Sequence, residues 1–211
     1  MTAMIDNPCI TRSEVTEFVE IGMANFPAEV IEAYADKFKL THATATAHAR
    51  ELVRYLTMCH LNPEADYGMA GQIDEIWHTF MLDSIPYTKW CEELFGYYMH
   101  HIPTRPADKA RQLSGEAVNT YATFVDRYGL FFGETVDFSM WPQIHGSSCG
   151  GGGGDSGGSS CGSSCGSACG GGGGGGGSTR KKKRRLTNEA GCHLPTDECI
   201  SCNPLFNNVA V

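Results

Sequence analysis

Asp74 and His78 stand four residues apart in the run Asp74-Glu75-Ile76-Trp77-His78. If that run is helical, the two side chains share a face and can pair as carboxylate and imidazole. Such a pair holds the ring in one tautomer and raises its basicity. Trp77 then projects about 100° away, toward the apolar stripe of the same helix. His100 and His101 follow one helix later, and an antiparallel return would bring one of them back to this face. With His100 as the third donor, Asp74, His78 and His100 supply the three protein ligands that a catalytic zinc ion uses. Three readings stay open for the group: structural pairing, metal or ligand binding, and general acid–base catalysis. The chain has no His-Glu-x-x-His sequence, no Gly-x-Ser-x-Gly elbow and no P-loop.

Thiols form the second set of chemically capable residues. Seven of the ten cysteines lie beyond residue 145. Cys161, Cys165 and Cys169 recur every four residues, each followed by glycine. Thiolates select Zn²⁺ or Cu⁺ over hard cations, so zinc or copper is the expected cofactor of such a tract. Ordering the backbone around an ion costs roughly 1–2 kcal/mol per residue, which favours these closely spaced thiols over distant Cys149. Cys192, His193, Cys199 and Cys202 offer four further soft donors for a tetrahedral zinc site, although adjacent Cys192 and His193 strain that geometry. The alternatives are incidental thiols in a linker, cyclisation of Ser and Cys onto the preceding carbonyl, and disulfides if the chain is exported. Cys9, Cys59 and Cys91 read as free thiols packed as small hydrophobes.

The segment Asp74 to Asp83, with Tyr87, Cys91, Gly96 and His100-His101-Ile102-Pro103, resembles the signature of the glycine-rich domain-containing protein family. The resemblance covers roughly residues 10–105. It implies a helical domain of largely unknown biochemistry joined to Gly-rich sequence, in a family whose plant members are linked to development and stress responses. It implies no catalytic residue.

The elements that must position these groups are helical. The fold class expected is all-α, a compact bundle of about six helices over residues 8–141, followed by a disordered Gly/Ser/Cys-rich tail. Thr11 and Glu14 form a capping box ahead of Val15, Phe18 and Val19. Asn25-Phe26-Pro27 is expected to open the second helix, with Val30, Ile31, Tyr34 and Phe38 on its apolar face. The third runs from about Thr44 to Cys59 and stops at Asn62-Pro63. The fourth spans about Ala70 to Leu82 and buries Ile73, Ile76, Trp77 and Phe80. The fifth carries Tyr87, Trp90, Cys91, Leu94 and Phe95 at i, i+3, i+4, i+7 and i+8, with Gly96 as its stop. A single sixth helix is expected from about Asp108 to Tyr128, using Ala110, Leu113, Val118, Tyr121, Phe124 and Val125 and ending at Gly129.

Beyond it the composition changes. Residues 146–178 are almost wholly Gly, Ser and Cys, residues 180–185 are a basic block, and residues 186–211 are a short Cys-containing segment. Residues 1–145 hold 10 basic and 20 acidic side chains, and this balance argues against nucleic-acid binding or attraction to an anionic membrane by the helical domain. Only residues 180–185 offer a weak signal for nucleic acid or anionic lipid. No apolar run approaches the ~20 residues of a membrane span, and the first residues have no secretory pattern. The cytoplasm is therefore the expected compartment, with the nucleus open to a eukaryotic chain through the basic block. Together these residues describe a helical interaction protein with a protein partner and soft-metal binding through its Cys-rich tail. The alternative is a metal-dependent hydrolase-like enzyme centred on Asp74, His78 and His100.

Overall fold

The computed structural model describes residues 9–143, 199–201, 203 and 206. The chain divides into one unit of Met1–Ile144 with Thr187–Val211 and another of His145–Leu186, which lies outside the described residues. Among the described residues the fold is all-α, with α1 Arg12–Ala24, α2 Ala28–Phe38, α3 His42–Leu61, α4 Gln72–Leu82, α5 Ser84–Phe95, α6 Pro106–Ser114 and α7 Thr120–Phe132. Extended pairing among them is limited to one antiparallel bridge, between Thr11 and Cys199.

The local signals explain most of these elements. Thr11 Oγ1 accepts the Glu14 N–H at 3.2 Å while the Glu14 carboxylate accepts the Thr11 N–H at 2.8 Å, so the capping box opens α1. The 20-residue α3 is the hub, packing against α1, α2 and α4. Its stripe of Ala45, Ala49, Leu52, Val53 and Leu56 is completely buried. Gly22 lets α1 approach this stripe, because a Cβ there would sit 2.7 Å from Val53 Cγ1 and 3.0 Å from Leu94 Cδ2. The bare Gly22 carbonyl also accepts the Trp90 indole N–H at 3.0 Å, tying α5 to α1.

Three boundary expectations are corrected. Asn25 does not cap α2: it closes α1, where its side chain donates to the Ile21 carbonyl at 2.9 Å, and Pro27 itself is the N-cap of α2. The single helix expected over Asp108–Tyr128 is two helices, and the expected all-α bundle of about six helices has seven among the described residues. Gly115 adopts φ +79°, a left-handed conformation that leaves the N–H groups of Glu116 and Ala117 folded back on the Arg111 carbonyl. Asn119 then restarts the helix by accepting the Ala122 N–H at 3.1 Å. α7 passes through Gly129 and stops at Gly133, whose φ is +72°. Ala110 and Leu113 lie on α6 but serve no core, since α6 buries nothing and Leu113 is 79% exposed, and Val118 falls in the break between the two helices.

His48 and His60 give the bundle a pH dependence. The His48 ring is buried with its Nδ1 2.9 Å from the Tyr34 hydroxyl, and the His60 ring stacks on Phe18 at 5.6 Å. Burial lowers both from the ordinary imidazole value of 6.5. The folded state thus holds the rings neutral while the unfolded chain protonates them, so the stability they contribute is present above pH 6.5 and is lost as pH falls toward the folded-state values. Melting temperature is expected to decline between pH 8 and pH 5, and His48→Gln should flatten that decline. An unchanged slope in the variant would remove His48 from the explanation.

The C-terminal segment returns to this unit. Ile200 is buried among the core residues, and Phe206 packs against Phe131 with ring centroids 5.8 Å apart. Asn62 and Arg127 donate to the Phe206 carbonyl at 3.1 and 3.2 Å. Residues 1–145 are expected to fold alone, since almost all the apolar periodicity lies there. Truncation after residue 145 is expected to lower stability by about 2–4 kcal/mol, from one lost aliphatic core residue and these hydrogen bonds. Denaturant melts of both chains would show it, and coincident curves would mean that the returning segment adds nothing.

Candidate metal centre

Gly71 is the N-cap of α4, and Asp74 occupies the first turn of the helix, where the dipole favours a carboxylate. His78 follows one turn later. His101 Nε2 lies 2.8 Å from Asp74 Oδ1, and His78 Nε2 lies 3.8 Å from the same oxygen. The two imidazole centroids are 4.7 Å apart. One ligand atom from each of the three residues falls within 4.8 Å of the others. The hydrogen bond from His101 holds the Asp74 carboxyl below its ordinary value, with help from His78 and against the opposing effect of burial.

The core fixes this trio through Trp77. Its indole is 4% exposed, and Nε1 donates to the Tyr87 hydroxyl at 2.9 Å. That hydroxyl donates in turn to the Met99 carbonyl at 2.5 Å. Burial raises the Tyr87 hydroxyl far above the usual tyrosine value, so it remains a donor. One side chain from α4 and one from α5 therefore pin the backbone two residues before His101. The His101 ring then stands edge-on to Trp77, with centroids 4.5 Å apart.

Of the residues expected from sequence, the structure brings Asp74 and His78 together and adds His101, not His100. The His100 ring lies instead against Tyr98, with centroids 4.7 Å apart. Of the two neighbouring histidines only His101 reaches Asp74 of α4, a difference of one position in the chain. The sequence signal for His101 was the His-His pair itself, which left both candidates open. Cys199 is buried and outside this trio. Cys161, Cys165, Cys169, Cys192 and Cys202 lie outside the described residues.

Beside the trio opens a cavity of about 990 Å³. Its lining includes Tyr55, Asp66 and Met69, Lys109 and Leu113 of α6, and Tyr121 of α7. The exposed, weakly attached α6 thus has a place in the molecule as one wall of this space. Two imidazoles and one carboxylate are a ligand set that suits zinc or iron(II), and three protein ligands leave positions on the ion for water or substrate.

No described helix is long and apolar enough to cross a membrane. Neither a curated protein nor a solved structure matches the chain. The UCP032817-like family matches over residues 15–122, from α1 through the metal-ligand candidates to the start of α7. That match spans half of the chain, and the protein belongs to the UCP032817-like family.

Proposed function

We propose that this protein binds a divalent metal ion, zinc in the first instance, through Asp74, His78 and His101, and uses it on a small molecule held in the adjoining cavity. The convergence of the three donors at the cavity carries the reading. Zinc is favoured over copper(I) here because imidazole and carboxylate are harder donors than thiolate. A zinc ion so held lowers the pKa of a bound water to about 7, which gives a hydrolase-like reaction at neutral pH. Asp74 and His101 already share a hydrogen bond, so metal binding must displace the proton between them, and affinity falls as pH drops. The chemistry is the hydrolase-like alternative drawn from sequence, with His101 in the place of His100.

Zinc titration of the full-length protein tests it. His101→Ala is expected to weaken binding by more than the roughly 10–100-fold that outer-sphere partners are worth. His100→Ala should leave affinity within about threefold, and His78→Ala should weaken it while costing only ~1 kcal/mol of stability. Equal losses for His100→Ala and His101→Ala, or no zinc bound by the wild type above micromolar affinity, would reduce the trio to a hydrogen-bonded brace.

Soft-metal capture by Cys161, Cys165 and Cys169 and a protein partner for the tail are separate proposals supported by sequence alone. The resemblance to glycine-rich domain-containing proteins supports the pairing of a helical domain with such a tract.

A further inference from the structure

Two of the most exposed aliphatic side chains among the described residues share one place. Ile102 is 86% and Leu113 79% exposed, yet both line the cavity beside Asp74, His78 and His101. They come from different parts of the chain: Ile102 directly follows the ligand candidate His101, and Leu113 lies in the last turn of α6. A single exposed aliphatic residue is ordinary on a protein surface. Two that line one cavity, together with the buried rings of Tyr55 and Trp77 and the buried Met99, give it the apolar lining of a small-molecule site. Charge argues the same way. Apart from the trio and His100, the charged residues of the lining are Asp66, Asp108 and Lys109. The acidic side chains outnumber the basic one, so a second anionic group on a ligand meets net repulsion.

We infer that the cavity takes a small acyl compound, with its carbonyl head at Asp74, His78 and His101 and an uncharged aliphatic chain packed on Ile102 and Leu113. This rests on the metal-ion reading of the trio and narrows what the ion acts on. An oxygen head suits an ion held by imidazole and carboxylate, which are harder donors than thiolate. The chain supplies further affinity, because each methylene moved out of water onto an apolar lining tightens binding, by about fourfold at full burial. Ile102 and Leu113 are then specificity residues, which select for the chain and leave the ion alone. Neither belongs to the core, so the selection can be altered without unfolding the bundle.

Hydroxamates test this, since their two oxygens ligate zinc whatever chain they carry. Zinc-loaded full-length protein is titrated with acetohydroxamate and with hexanohydroxamate, after metal analysis has counted the ion. Hexanohydroxamate is expected to bind at least about tenfold tighter, and a terminal carboxylate on its chain should cancel much of that gain. Leu113→Gln and Ile102→Gln should each cut the gain by about threefold or more, while zinc and acetohydroxamate affinities stay within about twofold. Leu82→Gln, at a side chain 84% exposed and outside the cavity lining, should leave the gain intact. All three side chains are exposed, so the variants are expected to stay folded, which circular dichroism would verify. Equal affinity for the two hydroxamates, tighter binding of the carboxylate-ended form, or a full gain in both cavity variants would overturn the acyl-chain inference and leave the metal centre standing. A wild-type protein that holds no zinc would end both.

Discussion

Replacing Trp77 by alanine is expected to cost about 3–5 kcal/mol, the range for deleting a large buried aromatic. The indole is 4% exposed and sits in an aromatic cluster, 5.8 Å from the Tyr55 ring and 4.5 Å from His101. Its loss opens a cavity and also removes the donor that orients the Tyr87 hydroxyl. Trp77→Phe refills most of that volume and leaves Tyr87 its bond to the Met99 carbonyl, so its cost should be less than half as large. Denaturant melts would rank the two. A cost near 1 kcal/mol for Trp77→Ala would mean that the bundle closes around the gap and that His101 is held by something other than this relay.

Glu51→Ala is the second large effect, expected at about 3 kcal/mol, the lower end for breaking a buried charged pair. The Glu51 carboxylate is 3% exposed on α3. It accepts the Tyr128 hydroxyl at 2.9 Å, the Trp141 indole N–H at 2.8 Å and Arg54 Nη1 at 3.0 Å. Alanine leaves two buried donors without an acceptor. Arg54 keeps Glu134 at 2.7 Å, which is why the lower end is expected. Glu51→Gln preserves the shape and an acceptor oxygen and should cost less. Urea unfolding followed by Trp141 fluorescence would read both. A Glu51→Ala variant as stable as wild type would show that water enters and satisfies the freed groups.

Whatever depends on near neighbours in the chain was legible in the residue order. The Thr11–Glu14 capping box, the Gly96 stop and the buried faces of α3, α4 and α5 each follow from contacts within one or two turns. Asp74 and His78 share a face for the same reason, since i and i+4 are neighbours on any helix. The break between α6 and α7 was less legible. Residues 108–128 have a good helical pattern, and the decision rested on whether one glycine would cap or continue. Gly115 caps and Gly129 continues, because Leu130 and Phe131 beyond the latter find a core to enter while Val118 beyond the former does not.

The sequence by itself therefore determined an all-α domain, the helix that carries Asp74 and His78, and the tryptophan that anchors it. Tertiary structure alone decided that His101 rather than His100 turns to Asp74, that Glu51 is the acceptor for Tyr128 and Trp141, and that Ile200 belongs to the core. It also decided that Thr11 pairs with Cys199 across an antiparallel bridge. The physical reason is the range of the forces that leave a pattern. Periodicity and capping record interactions over three or four residues, whereas a register between segments 27, 77 or 188 positions apart is set by packing volume and by which buried polar groups must find a partner.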